Sequence, residues 1–248
     1  MRDRSIRLAG VLAALWAVAG LAAFAWPGVA IAAVCLSFGA AMALFQAVSG
    51  LRFPPRLTIG VVAFSAAALL GGEWADVYEA VPWWDLALHA ASAWMLAAVG
   101  MALGLLATAG ARPRTAVWIL SILAFGFAMM VGAMWEVLEF TLDTLFGTDA
   151  QDGGNIDTMT DIVANTAGAL GGVVVAHAAV ASGRRVPPGG VLLDFVAMNP
   201  VIYAEWRGPL VPRQTGQTGR REARAHGAFQ RGRQAGGDVI AGEEQVGP

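Results

Sequence analysis

The chain has 248 residues, of which 57% are hydrophobic and only 14% charged, with a mean hydropathy of +0.59. A soluble domain carries roughly a quarter charged residues, so the composition excludes an ordinary soluble domain and points to an all-α, polytopic membrane helix bundle. The formal net charge of −2 conceals a segregation of sign along the chain, and that segregation sets its orientation.

Six apolar runs approach the roughly 20 residues needed to cross a bilayer. They cover Leu8 to Ala25, Val29 to Val48, Leu57 to Leu70, Leu86 to Ala107, Thr115 to Phe146 and Asp157 to Ala181. The third is short and is expected to extend at each end. Pro27-Gly28, Pro54-Pro55, Gly71-Gly72, Pro113 and Gly153-Gly154 punctuate the connections, where helix breakers belong. Cys35 is alone in an apolar run, forms no internal disulfide, and reads as a small core residue.

All sixteen basic residues are arginine. Arg2, Arg4 and Arg7 precede the first span, Arg52 and Arg56 follow the second, Arg112 and Arg114 follow the fourth, and Arg184 and Arg185 follow the sixth. The other connections contain no arginine, and two are acidic: Glu73, Asp76, Glu79 and Asp85, then Asp149, Asp152 and Asp157. The positive-inside rule therefore puts both ends of the six-span domain in the cytoplasm. Trp26, Trp74, Trp83 and Trp84 fall at the opposite interface, as an aromatic belt does. The start also fits a cleavable signal peptide, with Arg2 to Arg7, an apolar run and Ala23-Phe24-Ala25; cleavage leaves the orientation of the rest unchanged.

Residues 1–183 form the expected six-helix transmembrane domain, and residues 184–248 a polar, largely disordered cytoplasmic tail rich in Gly, Arg, Gln and Pro. An apolar patch at Val191 to Trp206 is placed on the inner membrane face. Arg220, Arg221, Arg224, Arg231 and Arg233 are diluted by Glu222, Asp238, Glu243 and Glu244, so a solvated tail is expected and not a nucleic-acid partner.

Charges within spans are costly and mark function by default. The first three spans have none, and their most polar interior residues are Ser37, Gln46 and Ser65. The fourth opens with Asp85 and His89, one turn apart. The fifth carries Glu136, Glu139 and Asp143, within an arc of roughly 60° at helical periodicity. The sixth carries Asp157, Asp161 and Asn165, each four after the last. Orientation puts all eight in the outer half of the membrane or at its outer surface, where they are expected to share one pocket. Such a cluster cannot stay fully ionised in low dielectric; it binds a cation, shares protons or opens to water.

Structural readings stand beside this one. Asp157 favours the positive end of a helix dipole. Thr158 and Asp161 fit a capping box, Asp85 fits a cap, and Glu139 and Asp143 fit water-exposed positions on an overlong helix. None of these accounts for His89, Glu136 or Asn165. His177 reads as interfacial. Gly100-x-x-x-Gly104 and Gly168-x-x-x-Gly172 read as close-packing motifs.

Three segments carry a family resemblance: Asp85-x-x-x-His89, Trp135-Glu136-x-x-Glu139, and Asp157-Thr158-Met159-x-Asp161-x-x-x-Asn165-x-x-Gly168. Together they resemble the bacterial YjdF-type inner-membrane family and, more distantly, VanZ-like proteins associated with glycopeptide resistance. The matched region spans about residues 83 to 172. It differs from the VanZ-like pattern at Leu86, where Lys is usual, at Glu139, where Gln is frequent, and in lacking an Arg before Asp157. The resemblance implies a multi-pass protein of the bacterial cytoplasmic membrane. The YjdF-type family brings no established activity with it.

Three functions remain open. The first is an envelope protein whose outward site binds a cation or the headgroup of a lipid or cell-wall precursor. The second is a hydrolase of a lipid-linked phosphate, with a divalent metal on some of Asp85, His89, Glu136, Glu139 and Asp161. Oxygen-rich ligands with one imidazole favour Mg²⁺ or Mn²⁺ over zinc. The catalytic candidates are then Asp85, His89, Glu136 and Asp161, with metal-bound water as nucleophile. The third is a proton- or cation-coupled transporter, against which the absence of a polar counterpart in spans one to three counts.

Overall fold

The computed structural model describes residues 2–23, 25–114, 116–151 and 154–210. Thr115, Asp152 and the tail beyond Leu210, with its expected disorder, lie outside the described residues. The described chain is helical and contains no strand. Its helices are α1 (Arg2–Ala22), α2 (Pro27–Ser49), α3 (Pro55–Ala66), α4 (Val77–Ala80), α5 (Trp84–Leu106), α6 (Trp118–Phe146), α7 (Asn155–Ser182) and α8 (Gly189–Met198).

Six helical stretches are long and apolar enough to cross a membrane, and the third is longer than the apolar run alone indicates. There α3 continues as a π-helical segment, Ala67–Trp74, through Gly71 and Gly72. Trp84 Nε1 donates to the Ala67 carbonyl oxygen within this irregular stretch (3.3 Å). Outward-facing apolar side chains such as Ile122, Leu123, Val137, Val163 and Val174 are more than half exposed. A continuous apolar exterior of this kind requires lipid as solvent.

α1 packs chiefly on α2 through Ala19, Ala22, Ala30 and Ala33. The tightest association is α5 with α7, and α6 lies against both. Lipid is as apolar as leucine, so helices associate in a bilayer through close packing, not by escaping solvent. The two glycine motifs supply that packing. A Cβ on Gly168 would overlap the Ala90 carbonyl, and one on Gly172 would overlap the backbone of Trp94, both on α5. A Cβ on Gly100 would stand 2.8 Å from Ala124 Cα on α6.

The arginine-bearing connections gather at one end, together with the segment that follows α7. Asn199 brackets the Arg52 backbone: the Arg52 N–H donates to Asn199 Oδ1 and Asn199 Nδ2 donates to the Arg52 carbonyl, both at 2.8 Å. The Glu205 N–H donates to the Ala109 carbonyl (2.8 Å) and the Leu210 N–H to the Val180 carbonyl (2.7 Å). Gly110, at φ +83°, passes so close to Trp206 that a Cβ there would lie 2.9 Å from the Trp206 Cβ.

Residues 184–210 thus carry ordered structure that the sequence marks only as an apolar patch. α8 lies back along α7, with Gly189 against Ala179 and Val175. Leu192, Val196, Tyr203 and Leu210 share a core with Met101, Leu105, Leu120 and Val180. Tyr203 is 3% exposed, and its hydroxyl donates to the Ala102 carbonyl (2.9 Å). At the opposite end, Trp74 covers Gly28 and Tyr78 covers Gly72.

Gly168→Val is expected to force α5 and α7 apart and to cost about 1–3 kcal/mol, the usual range for overpacking. Gly60→Val is the control, since a Cβ there meets nothing within 4 Å. Thermal unfolding in detergent reads both. Equal melting temperatures for the two variants would contradict the close crossing.

Candidate functional site

His89, on the second turn of α5, stands at the centre of the polar residues contributed by α5, α6 and α7. Its Nε2 lies 3.6 Å from Asp85 Oδ2 and 3.9 Å from Asp161 Oδ2. Its Nδ1 lies 3.6 Å from Glu136 Oε1 and 3.2 Å from Asn165 Nδ2. The imidazole tautomer and the amide orientation decide which of that last pair donates.

Helix geometry explains the assembly. Asp85 is one turn before His89 on α5, and Asp161 is one turn before Asn165 on α7. The Gly168 crossing, just beyond Asn165, draws the two helices together. Gly132, one turn before Glu136 on α6, leaves the space that Asn165 fills; a Cβ there would stand 2.9 Å from Asn165 Nδ2.

The cluster is enclosed. His89 is 8% exposed, Glu136 4%, and Asp161 and Asn165 1% each, while Asp85 and Glu139 are half-buried. Among the described residues, no hydrogen bond reaches either carboxyl oxygen of Glu136, either of Asp161, or Oδ1 of Asn165. Leaving buried polar groups unpaired is costly, and an uncompensated buried charge costs more. Among the described residues, two groupings have ligand atoms all within 4.8 Å of one another: Asp85 with His89 and Asp161, and His89 with Glu136 and Glu139. Each grouping offers one imidazole nitrogen and two carboxylates, a donor set suited to a hard divalent cation.

The remaining candidates differ in how they relate to this centre. Glu139 accepts a hydrogen bond from Trp135 Nε1 (2.8 Å) and stays within reach of His89. The Asp143 carboxylate organises the connection to α7. It accepts from the Thr148 hydroxyl (2.6 Å), the Ala150 N–H (2.7 Å) and the Gln151 N–H (2.9 Å). Asp157 is half-buried in the first turn of α7, one turn outward of Asp161.

The capping readings do not hold. α7 begins at Asn155 with Gly154 at the cap position and no side-chain cap. Thr158 lies inside the helix and accepts from Gln151 Nε2 (2.5 Å), which leaves Asp161 to face His89. α5 likewise starts without a side-chain cap, so Asp85 does not serve as one. His177 is half-buried between α6 and α7 and pairs with Ser121 Oγ through Nδ1 (2.9 Å), which makes it an interhelical group near the inner ends of both helices.

Residues 5–182 match the model of a family described as predicted membrane protein, DUF2238. The chain belongs to the DUF2238 family. The match takes in all of the cluster and nearly all of the six spans, and this DUF2238 member is a multi-pass membrane protein. No curated protein and no solved structure matches the chain.

Sequence reasoning missed Gly132 and Tyr78. Nothing local marks Gly132, because the demand for space comes from Asn165 on another helix. Tyr78 sits in the acidic connection before α5, which was its only signal. Burial pushes its phenol up to about 12, and the carboxylates of Asp85, Glu73 and Glu139 add to the shift. Burial likewise pushes Tyr203 up to about 12.

These are the chain's two tyrosines. An unfolded tyrosine ionises near pH 10, so the raised folded values make neutral phenols a stabilising feature that is lost as pH climbs from about 10 through 12. Tyrosinate absorbance of the folded protein is expected to rise near pH 12, and that of the denatured protein near pH 10. A folded-state rise near pH 10 would contradict the burial of both rings.

Proposed function

We propose that this is an envelope protein of the bacterial cytoplasmic membrane, with both ends of its membrane domain in the cytoplasm, whose outward-facing cluster holds a divalent cation. The ligands come from Asp85, His89, Glu136, Glu139 and Asp161. One observation carries the reading: Glu136 and Asp161 are almost wholly buried, and among the described residues no hydrogen bond reaches any of their four carboxyl oxygens. A cation beside His89 satisfies them together, whereas without one the acids must share protons or rely on the His89 imidazole alone. Mg²⁺ or Mn²⁺ fits the oxygen-rich set better than zinc.

His89 belongs to both ligand groupings, so whichever nitrogen binds the ion, the other faces a carboxylate. That is the usual arrangement for an imidazole held in orientation behind a metal. The YjdF-type resemblance is consistent with DUF2238 membership and supports the inner-membrane location. Neither it nor the more distant VanZ-like pattern carries an activity to this chain.

A second reading, metal-dependent hydrolysis of a lipid-linked phosphate, is favoured by the surplus of carboxylates around His89, one of which can serve as base to a metal-bound water. Turnover by the wild type that disappears in Glu136→Gln would select it. Coupled transport draws less support, because the polar residues lie on α5 to α7 and α1 to α3 offer no matching set.

Metal analysis of the detergent-purified chain after exposure to Mg²⁺, Mn²⁺ and Zn²⁺ tests the central reading. The wild type is expected to retain about one equivalent of Mn²⁺ or Mg²⁺. His89→Ala should lose it, and Asp161→Asn should bind at least ~10-fold more weakly, the lower end for disturbing a metal's surroundings. Folded wild type that retains no divalent ion would refute it.

A further inference from the structure

The two ring nitrogens of His89 keep different company, and a neutral imidazole offers a lone pair on only one of them. Among the described residues the ring makes a single hydrogen bond, at Nδ1, with the side-chain amide of Asn165 (3.2 Å). Glu136 Oε1, 3.6 Å from the same nitrogen, is beyond hydrogen-bonding distance. Nε2 faces only carboxylates, Asp85 Oδ2 at 3.6 Å and Asp161 Oδ2 at 3.9 Å.

The two ends of the Asn165 amide have the same shape and opposite chemistry, so the surroundings decide which end meets the ring. With Nδ2 on the ring, Oδ1 is a buried acceptor without a partner, on a residue 1% exposed. The other unpaired buried side-chain atoms among the described residues, both carboxyl oxygens of Glu136 and both of Asp161, are acceptors too. The cluster thus has a surplus of acceptors and a want of donors. Turning the amide over relieves both. Oδ1 then accepts the Nδ1–H of His89, and an NH₂ group with two donors takes the former place of Oδ1. A proton on Nδ1 leaves the lone pair of the ring on Nε2.

Space and spacing agree. A Cβ on Gly132 would stand 2.9 Å from Asn165 Nδ2 and 3.1 Å from its Cγ, so the amide fills room that α6 gives up. An ion would reach Nδ1 only by displacing it. On the other side, Nε2, Asp85 Oδ2 and Asp161 Oδ2 bring three lone pairs toward one another. Ligands on Mg²⁺, at about 2.1 Å per bond, stand about 3.0 Å apart when adjacent and about 4.2 Å when opposite. The observed 3.6 and 3.9 Å fall between these limits. Asp85 is also the most exposed of the three side chains, which puts the way in from the outer surface on this side.

We infer that Asn165 is a positioning residue: its amide oxygen holds the proton of His89 on Nδ1 and so directs the divalent ion to Nε2, with Asp85 and Asp161 as its carboxylate ligands. Glu136 and Glu139, on the Nδ1 side, lie close enough to feel the charge of the ion without binding it. The inference rests on the cation reading above and divides a ligand set that the reading leaves undivided.

The test joins pulsed electron paramagnetic resonance of the Mn²⁺-loaded full chain, with histidine carrying ¹⁵N at Nε2 alone or at Nδ1 alone, to Mn²⁺ titrations of two variants. In the wild type, direct coupling is expected from ¹⁵Nε2 and not from ¹⁵Nδ1. Asn165→Leu, which has no acceptor, should bind Mn²⁺ at least ~10-fold more weakly, the lower end for removing a group behind a metal-binding histidine. Asn165→Asp keeps an oxygen for the Nδ1–H and should bind Mn²⁺ as the wild type does, whereas a residue that only fills space would be replaced by either. Asn165→Leu with wild-type affinity, or Asn165→Asp as weak as Asn165→Leu, would overturn the positioning role. The wild-type labelling needs no variant to fold: direct coupling from ¹⁵Nδ1 would overturn the inference and leave the cation reading standing. Folded wild type that binds no Mn²⁺, or binds it with no nitrogen coupling, would overturn the cation reading and this inference with it.

Discussion

The carbonyl of Ala90 occupies the space that any side chain at residue 168 would need, and the rest of the outer half of the bundle follows from that closeness. Gly172 meets the backbone of Trp94 in the same way one turn further along. His89 directly precedes Ala90, while Asn165 and Asp161 lie within two turns before Gly168. A backbone approach made for packing therefore carries the imidazole against its neighbours on α7. Gly132 repeats the device on α6, where the missing side chain admits Asn165 and brings Glu136 in behind it. Small residues hold these helices together because a bilayer offers apolar surfaces no other reason to meet.

This closeness sets packing against electrostatics. The crossing that gives α5 and α7 their contact also encloses two carboxyl groups to which no hydrogen bond is made among the described residues. An apolar residue at either position would avoid the cost, and replacing buried ionic groups by well-packed apolar ones is frequently neutral or stabilising. The acids stand where the bundle is tightest, and beside a cavity that Glu136 helps to line. α1 to α3, with no such groups, are joined by alanine contacts and an irregular π-helical stretch. The molecule thus combines a polar, tightly crossed half with an apolar, more loosely connected one.

The spans and their ends were legible because a stretch long enough to cross hydrocarbon must be apolar over its whole length. The cluster was legible for the complementary reason: intramembrane acids are rare, and helical spacing decides which of them share a face. Other features depend on partners that spacing does not reveal. Asp143 shares a face with Glu136, yet its carboxylate is taken by the Ala150 and Gln151 amides, whose direction is set by a turn. Thr158 and Asp161 satisfy a capping pattern that the helix ignores by starting three residues earlier, at Asn155. The Ser121–His177 pair and the Tyr203 hydroxyl on Ala102 join residues 56 and 101 positions apart. The docking of residues 184–210 was hidden for the same reason.

An ion beside His89 is the central claim, and pulsed electron paramagnetic resonance of the Mn²⁺-loaded protein reads it directly. With histidine labelled by ¹⁵N, the account predicts hyperfine coupling to one directly bound imidazole nitrogen. That coupling should vanish in His89→Ala and persist in a variant lacking His177 and His226. A Mn²⁺ signal with water and carboxylate couplings but no nitrogen, in folded wild type, would contradict it.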